Sequence, residues 1–164
     1  MRANEDITSA VERHANTVVR VCALYFGHRP ESDDAFQDTF LKYSQSDKVF
    51  ESEEHRKAWL ISVATNTCKD MLRKSESKTV LTDQFEDTAS PQWHSGVESD
   101  DRADELNEAL QQLDEKFRIV LYLKYYEGYT AAEIAGMLNM PENTVYTNLT
   151  RGREKLKEVL TRGR

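Results

Sequence analysis

The sequence contains no apolar run of about 18 residues, so no segment reads as a membrane span. Its start, Met1-Arg2-Ala3-Asn4-Glu5-Asp6, is polar with two early acids, the wrong pattern for a signal peptide. There are only two cysteines, Cys22 and Cys68, and both lie inside apolar helical patterns. That placement fits reduced core thiols in a cytoplasmic protein and argues against a disulfide framework. The four histidines (His14, His28, His55 and His94) show no metal-ligand spacing with each other or with the cysteines, so no metal site is expected. No glycine loop with a Walker-type lysine is present to cradle phosphates. Acid pairs and Cys-His couples at catalytic spacing are missing too, so neither an enzyme nor a cofactor is expected. Period-two alternation never persists long enough for a confident strand.

What remains is helix. Ile7, Val11, Ala15, Val18, Cys22 and Tyr25 recur at helical spacing, which predicts an amphipathic helix over about residues 5–26. Gly27-His28-Arg29-Pro30 is a break. Ser32 is then a candidate cap for a helix with Asp33 and Asp34 in its first turn and Ala35 or Phe36, Phe40 and Tyr43 inward. Ser46-Asp47-Lys48 opens a loop. A third helix runs from about His55 to Lys74, with Trp59, Leu60, Val63, Ala64, Thr67, Cys68 and Met71 on its inner side.

From Ser75 to about Asp101 periodicity disappears, and Ser, Thr, Asp and Glu dominate around Pro91 and Gly96, as in a linker. Trp93 stands there as a lone large ring. Helical spacing resumes at Leu106, Ala109, Leu110 and Leu113, then in a helix carrying Phe117, Val120, Leu121 and Lys124 that Glu127-Gly128 stops. Two further helices are expected over 130–139 and about 142–161. The expected fold class is all-α: two small helical domains, 1–76 and 104–164, joined by an acidic flexible linker, 77–103. Net charge is −7 but unevenly spread, with −1 over residues 1–75, −9 over 76–116 and +3 over 117–164. The C-terminal piece is basic, and the distribution decides more than the sum.

Thr130 and Glu133 have capping-box spacing, Asn139 tolerates the left-handed conformation that ends a helix, and Pro141 suits the first turn of the next. A turn this short makes the two helices cross steeply, as in a helix-turn-helix. In the second of them Val145, Leu149, Leu156 and Leu160 form the predicted inner stripe. Thr144, Thr147, Asn148, Arg151 and Lys155 lie opposite, a face suited to the major groove.

Two stretches together resemble bacterial sigma factors. Residues 105–160 resemble region 4 through Leu110-Gln111-Gln112-Leu113, Tyr125-Tyr126-Glu127-Gly128-Tyr129-Thr130, Glu133-Ile134-Ala135 and Thr144-Val145. Residues 32–74 resemble region 2 through Asp34-Ala35-Phe36-Gln37-Asp38-Thr39-Phe40-Leu41 and Ala58-Trp59-Leu60-Ile61-Ser62-Val63-Ala64-Thr65-Asn66. In this order, with no third domain between them, they look like an extracytoplasmic-function sigma factor, a subunit that directs RNA polymerase core to promoters and assists melting.

The resemblance implies roles for particular residues. Asp34, Gln37, Asp38 and Leu41 would contact a coiled coil on the large catalytic subunit of the polymerase, with Phe40 in the core. Phe50 and Asn66 match the loop and helix positions that hold a flipped base of the melted −10 strand, the alternatives being a loop anchor and a helix-surface amide; Lys69, Arg73 and Lys74 would hold phosphates or only solubilise the helix end. An aromatic face stacks on an unstacked base, and an amide reads a base edge. Thr144, Thr147, Asn148 and Arg151 would read double-stranded DNA at the −35 element, supported by Arg153 and Lys155. An anti-sigma factor would be the expected regulator. The acidic linker would thread a positively charged polymerase channel, the alternative being a self-repelling spacer.

Two features depart from the family. Tyr146 and Asn148 replace frequent Lys or Arg, so fewer phosphates would be neutralised. Glu51, Glu53 and Glu54 make the −10 loop acidic. A response-regulator-like transcription factor would share the C-terminal unit, but residues 1–75 lack the α/β alternation of a receiver domain.

Overall fold

In a computed structural model the described residues are 2–78 and 108–162, the side chains of 76–78 excepted. Trp93, the predicted linker beyond residue 78 and the first apolar position of the following helix, Leu106, therefore lie outside the described residues. The chain divides into two compact units, Met1–Ala89 and Ser90–Arg164. All regular structure among the described residues is helical.

The first unit is three helices, each packed on the other two: α1 (Asn4–Phe26), α2 (Pro30–Gln45) and α3 (Glu53–Lys78). Glu5 and Asp6 occupy the first turn of α1, where the helix dipole favours acids. Gly27 ends the helix at φ 63°, and its N–H bonds Ala23 O at 2.8 Å. A backbone in that region strains any side chain, which is why the chain turns at a glycine. The core of the unit is Val18, Val21, Cys22, Leu24, Ala35, Tyr43, Leu60, Ile61, Ala64 and Cys68, all fully buried. Cys22 and Cys68 are free thiols, as expected. The structure brings them together, and the Cys68 thiol is pushed up by its hydrogen bond with Cys22 and by burial.

Two helix starts differ from expectation. Pro30 opens α2 at its first turn, two residues before Ser32, since a proline there gives up no needed N–H. Ser52 starts α3: its Oγ accepts the His55 N–H at 3.1 Å and its carbonyl the Arg56 N–H at 3.1 Å.

The second unit contains α4 (Glu115–Leu121), a π-helical turn (Tyr122–Tyr126), α5 (Ala131–Leu138) and α6 (Glu142–Arg162). The π turn inserts one residue per turn, so Tyr122 and Leu123 are buried while Tyr125 and Tyr126 face solvent. The α5–α6 corner forms as the sequence predicts. Thr130 Oγ1 accepts the Glu133 N–H at 3.1 Å, and Glu133 accepts the Thr130 N–H at 2.9 Å. Asn139 sits at φ 55°, ψ 52°. Pro141 stands one position earlier than expected, and its carbonyl accepts the first helical bonds, from Thr144 and Val145.

At Gly152 the helices α4 and α6 pack closely. A Cβ there would lie 3.1 Å from Leu121 Cδ1 and 3.3 Å from Phe117 Cβ. That contact sets the rotation of α6, whose buried residues are Val145, Asn148, Leu149 and Gly152. Leu156 and Leu160, expected fully inside, are only half-buried.

Candidate nucleic-acid interface

In the first unit, polar ties hold one loop. Arg56 is 7 % exposed. Its guanidinium bonds Asp6 Oδ1 at 3.1 Å, Tyr43 Oη at 3.2 Å, Ser9 Oγ at 3.3 Å and Glu53 at 2.5 and 3.2 Å. His14 Nε2 reaches Glu53 Oε2 at 2.8 Å, and the Tyr43 hydroxyl donates to Asp6 at 2.5 Å. The hydrogen bond from Tyr43 and the charge of Arg2 hold the Asp6 carboxyl below its usual range, against the opposing effect of burial. The bond to His14, then Arg56, lowers Glu53, again against burial. Burial, reinforced by Asp6, raises Tyr43. Burial of Arg56 works to lower its pKa, but the bonds to Tyr43 and Glu53 outweigh it and leave the guanidinium raised. The network joins the starts of α1 and α3 to the end of α2, and with them both ends of loop 46–52.

Glu53 was expected to add negative charge to the DNA-facing loop. Instead its carboxylate is bound by His14 and Arg56, because α3 begins at Glu53 and turns it back toward α1. Glu51 and Glu54 remain exposed.

Phe50 is enclosed by its neighbours. Its ring is half-buried, with centroids 5.6 Å from Trp59, 5.3 Å from His55 and 6.2 Å from Tyr43, and the Arg2 guanidinium carbon 5.2 Å from its own centroid. A ring so surrounded is an anchor for the loop and not a free stacking platform. The large apolar residue the loop leaves outside is Val49, 86 % exposed.

Along α3, Trp59, Ser62, Asn66, Lys69 and Arg73 share one face by helical register. Asn66 is exposed, and its amide makes no hydrogen bond among the described residues. Lys69 is half-buried, and desolvation, with a smaller repulsion from Arg73, lowers its pKa. Arg73 is exposed and paired with Asp70. Trp59, expected inside, is half-exposed at the loop end of this stripe because its ring packs edge-on against Phe50 and Tyr43.

The outer face of α2 carries exposed Asp34 and Gln37, and Asp38 ion-paired to Lys42 at 3.2 Å. Leu41 is 53 % exposed there, while Phe40 is buried. Lys42 also bonds Thr67 Oγ1 at 2.9 Å, tying α2 to α3 beneath this face.

In the second unit the outward side of α6 is rotated from the predicted one. Asn148, expected at the base-reading face, is only 9 % exposed and lies between Val145 and Gly152 on the packed side. Lys155 is exposed, but its ammonium lies 5.9 Å over the Phe117 ring, drawn inward by the same close approach. Arg153 donates to Tyr125 Oη at 2.6 Å. Thr144, Thr147 and Arg151 are exposed as expected. Asn143, Tyr146 and Thr150 join them, so Asn143, Tyr146, Thr147, Thr150 and Arg151 form one stripe. Thr147 donates its hydroxyl proton to Asn143 O at 2.9 Å. Arg151 has no hydrogen bond or ion pair among the described residues, so its guanidinium fork is available to an outside acceptor.

The second unit thus presents a polar helix face with an unpaired arginine on a helix-turn-helix, and the first an exposed amide on α3. The sigma-70 region 2 family model matches residues 10–78 and the sigma-70 region 4 model residues 103–156. The ECF RNA polymerase sigma factor SigL of Mycobacterium tuberculosis is 30% identical over 143 residues, 84% of this chain and 79% of that protein.

The chain belongs to the ECF sigma factors.

The ECF RNA polymerase sigma factor SigW of Bacillus subtilis is 28% identical, with 92% of this chain and 86% of that protein covered. Among solved structures, the sigma factor RpoE of Bartonella quintana, crystallised with the anti-sigma factor NepR, superposes with a TM-score of 0.72 at 20% identity, covering 98% of this chain and 99% of that one. CnrH, in complex with the cytosolic domain of CnrY, gives 0.61 at 23%, covering 97% and 90%. At those identities the likeness shows the fold. As a sigma factor the chain supports promoter-specific initiation by RNA polymerase. No helix among the described residues is long and apolar enough to cross a membrane.

Proposed function

We propose that this sigma factor grips a promoter at two separated points while RNA polymerase supplies all the chemistry. The outer face of α2, with Asp34, Gln37, Asp38 and exposed Leu41, docks on the large catalytic subunit of the core enzyme. Asn66 on α3 reads an extruded base of the −10 element, with Lys69 and Arg73 beside the phosphates. Thr144, Thr147 and Arg151 on α6 read the −35 element in the major groove, and Arg153 supports the backbone. Their packing leaves Asn148 out of direct base reading and Lys155 out of backbone support.

The observation that carries this reading is the unpaired Arg151 fork on the exposed face of a capped helix-turn-helix. An arginine so placed matches the two acceptors of guanine or a phosphate. The chain itself catalyses nothing in this reading, and it works in the cytoplasm, where the polymerase is. One structural neighbour is crystallised with an anti-sigma factor, which supports a separate protein inhibitor acting on this chain as well.

Mixing the purified chain with core polymerase tests the proposal. Co-elution without DNA, and new start sites on a promoter library, are the expected results. A chain that binds isolated DNA but never core enzyme would instead fit a free-standing transcription factor.

A further inference from the structure

Arg2 is a surface-type residue near the start of the chain, yet its side chain is only 9 % exposed. Its backbone N–H bonds Ser44 O at 3.0 Å, and its Nε donates to Tyr43 O at 2.8 Å. Those carbonyls belong to the last turn of α2, where helical donors run out; that of Tyr43 also accepts the Ser46 N–H at 3.2 Å. One Nη then donates to Lys48 O, in the middle of the loop, at 2.5 Å, and the other to Asp6 at 3.1 Å. The guanidinium plane lies over two rings, 4.2 Å from the Tyr43 centroid and 5.2 Å from that of Phe50. One side chain thus fastens the end of α2, the centre of loop 46–52 and the ring that anchors it. Arg2 and Asp6 both lie before the residues the region 2 model matches.

The loop carries no regular hydrogen bonding over residues 46–50, so its shape depends on such ties. With Phe50 held inward, Val49 is turned outward, an apolar tip at 86 % exposure. The exposed charged residues near it in sequence are Asp47, Lys48, Glu51 and Glu54, a net acidic set that disfavours phosphate. What such a tip can accept is the apolar face of an unstacked base.

We propose that Arg2 is a positioning residue for −10 recognition: it locks loop 46–52 so that Val49 packs against an extruded base of the melted strand. This rests on the two-point reading above and adds to it a specific contact and the strap that aims it.

The test uses the full chain with core polymerase and promoter fragments that the wild-type holoenzyme selects from a library randomised across both elements. Permanganate reactivity of thymines reports melting, and footprinting reports −35 occupancy. Arg2→Ala and Val49→Ala should each lower open-complex formation about tenfold, the scale of one buried valine contact. Core binding and −35 protection should stay at wild-type levels. Arg2→Lys, which keeps the charge but not the fork, should fall between wild type and Arg2→Ala. In the Arg2→Ala/Val49→Ala double variant the losses should not multiply, because both act at one contact. Full opening by Arg2→Ala would overturn the proposal, as would losses that multiply in the double variant. A parallel loss of core binding and thermal midpoint in Arg2→Ala would mean a merely structural role. Selection of no promoter by the wild type would overturn the two-point reading itself, and the proposal with it.

Discussion

The two units hold their functional surfaces in place by opposite means. In the first, the surface includes a loop with no regular hydrogen bonding, and charged side chains from distant parts of the chain fix it. In the second, the surface is one face of a helix, and local backbone devices fix it: a capping box, a left-handed Asn139 and the close approach at Gly152. A loop must be tied from outside, whereas a helix needs only correct ends and correct rotation.

That contrast is broken most severely at Arg56. Arg56→Met leaves Asp6, Tyr43 and Glu53 without their shared donor. Hydrogen bonds to charged groups contribute about 1.5–3 kcal/mol each, and because Asp6 and Glu53 are partly exposed and keep Arg2 and His14, the expected loss is about 3 kcal/mol. Urea unfolding followed by Trp59 fluorescence in a Trp93→Phe background measures it; an unchanged midpoint would remove the network from any account of stability. In the second unit, Gly152→Val forces α6 away from Leu121 and Phe117, with an expected loss of about 1–3 kcal/mol. The same change should weaken −35 footprinting while −10 melting on a preopened template stays intact.

A smaller effect is expected at Thr130→Ala, which removes one half of the capping box, about 1 kcal/mol, read as a shift in the thermal midpoint. The smallest is in pH. Asp6 and Glu53 have folded pKa values below their unfolded ones, so their contribution is complete above the unfolded values and is lost as pH falls through the folded values. Stability of the first unit should therefore decline below about pH 4. In an Asp6→Asn/Glu53→Gln variant that part of the decline should vanish.

The same contrast explains what could be read from the residues in order. The α5–α6 corner was legible because its signals are local: Thr130 and Glu133 three apart, Asn139 at the turn, Pro141 after it. The helix-turn-helix and the three N-terminal helices follow from periodicity. Asn148 was misplaced because the rotation of a helix depends on what packs against it, and the decisive contact comes from Phe117 and Leu121. A glycine inside an otherwise regular helix, Gly152, was the available signal, since a missing side chain often marks a close approach.

Arg2, Arg56 and Glu53 gave no local sign of their partners. Their bonds span up to 50 residues, and a charged residue near a helix start ordinarily faces water. Phe50 is the ring of the loop, but its neighbours make it an anchor and leave Val49 outside.

The central claim is that two small units contact the promoter independently, each with its own residues. Run-off transcription with core polymerase on a library of variant promoters, comparing wild type with Asn66→Ala and Arg151→Ala, tests it most directly. The account predicts crossed losses: Asn66→Ala stops discriminating bases at the upstream end of the −10 element, and Arg151→Ala stops discriminating them at −35. Variants that discriminate at both elements as well as wild type, or that lose both together, would contradict it.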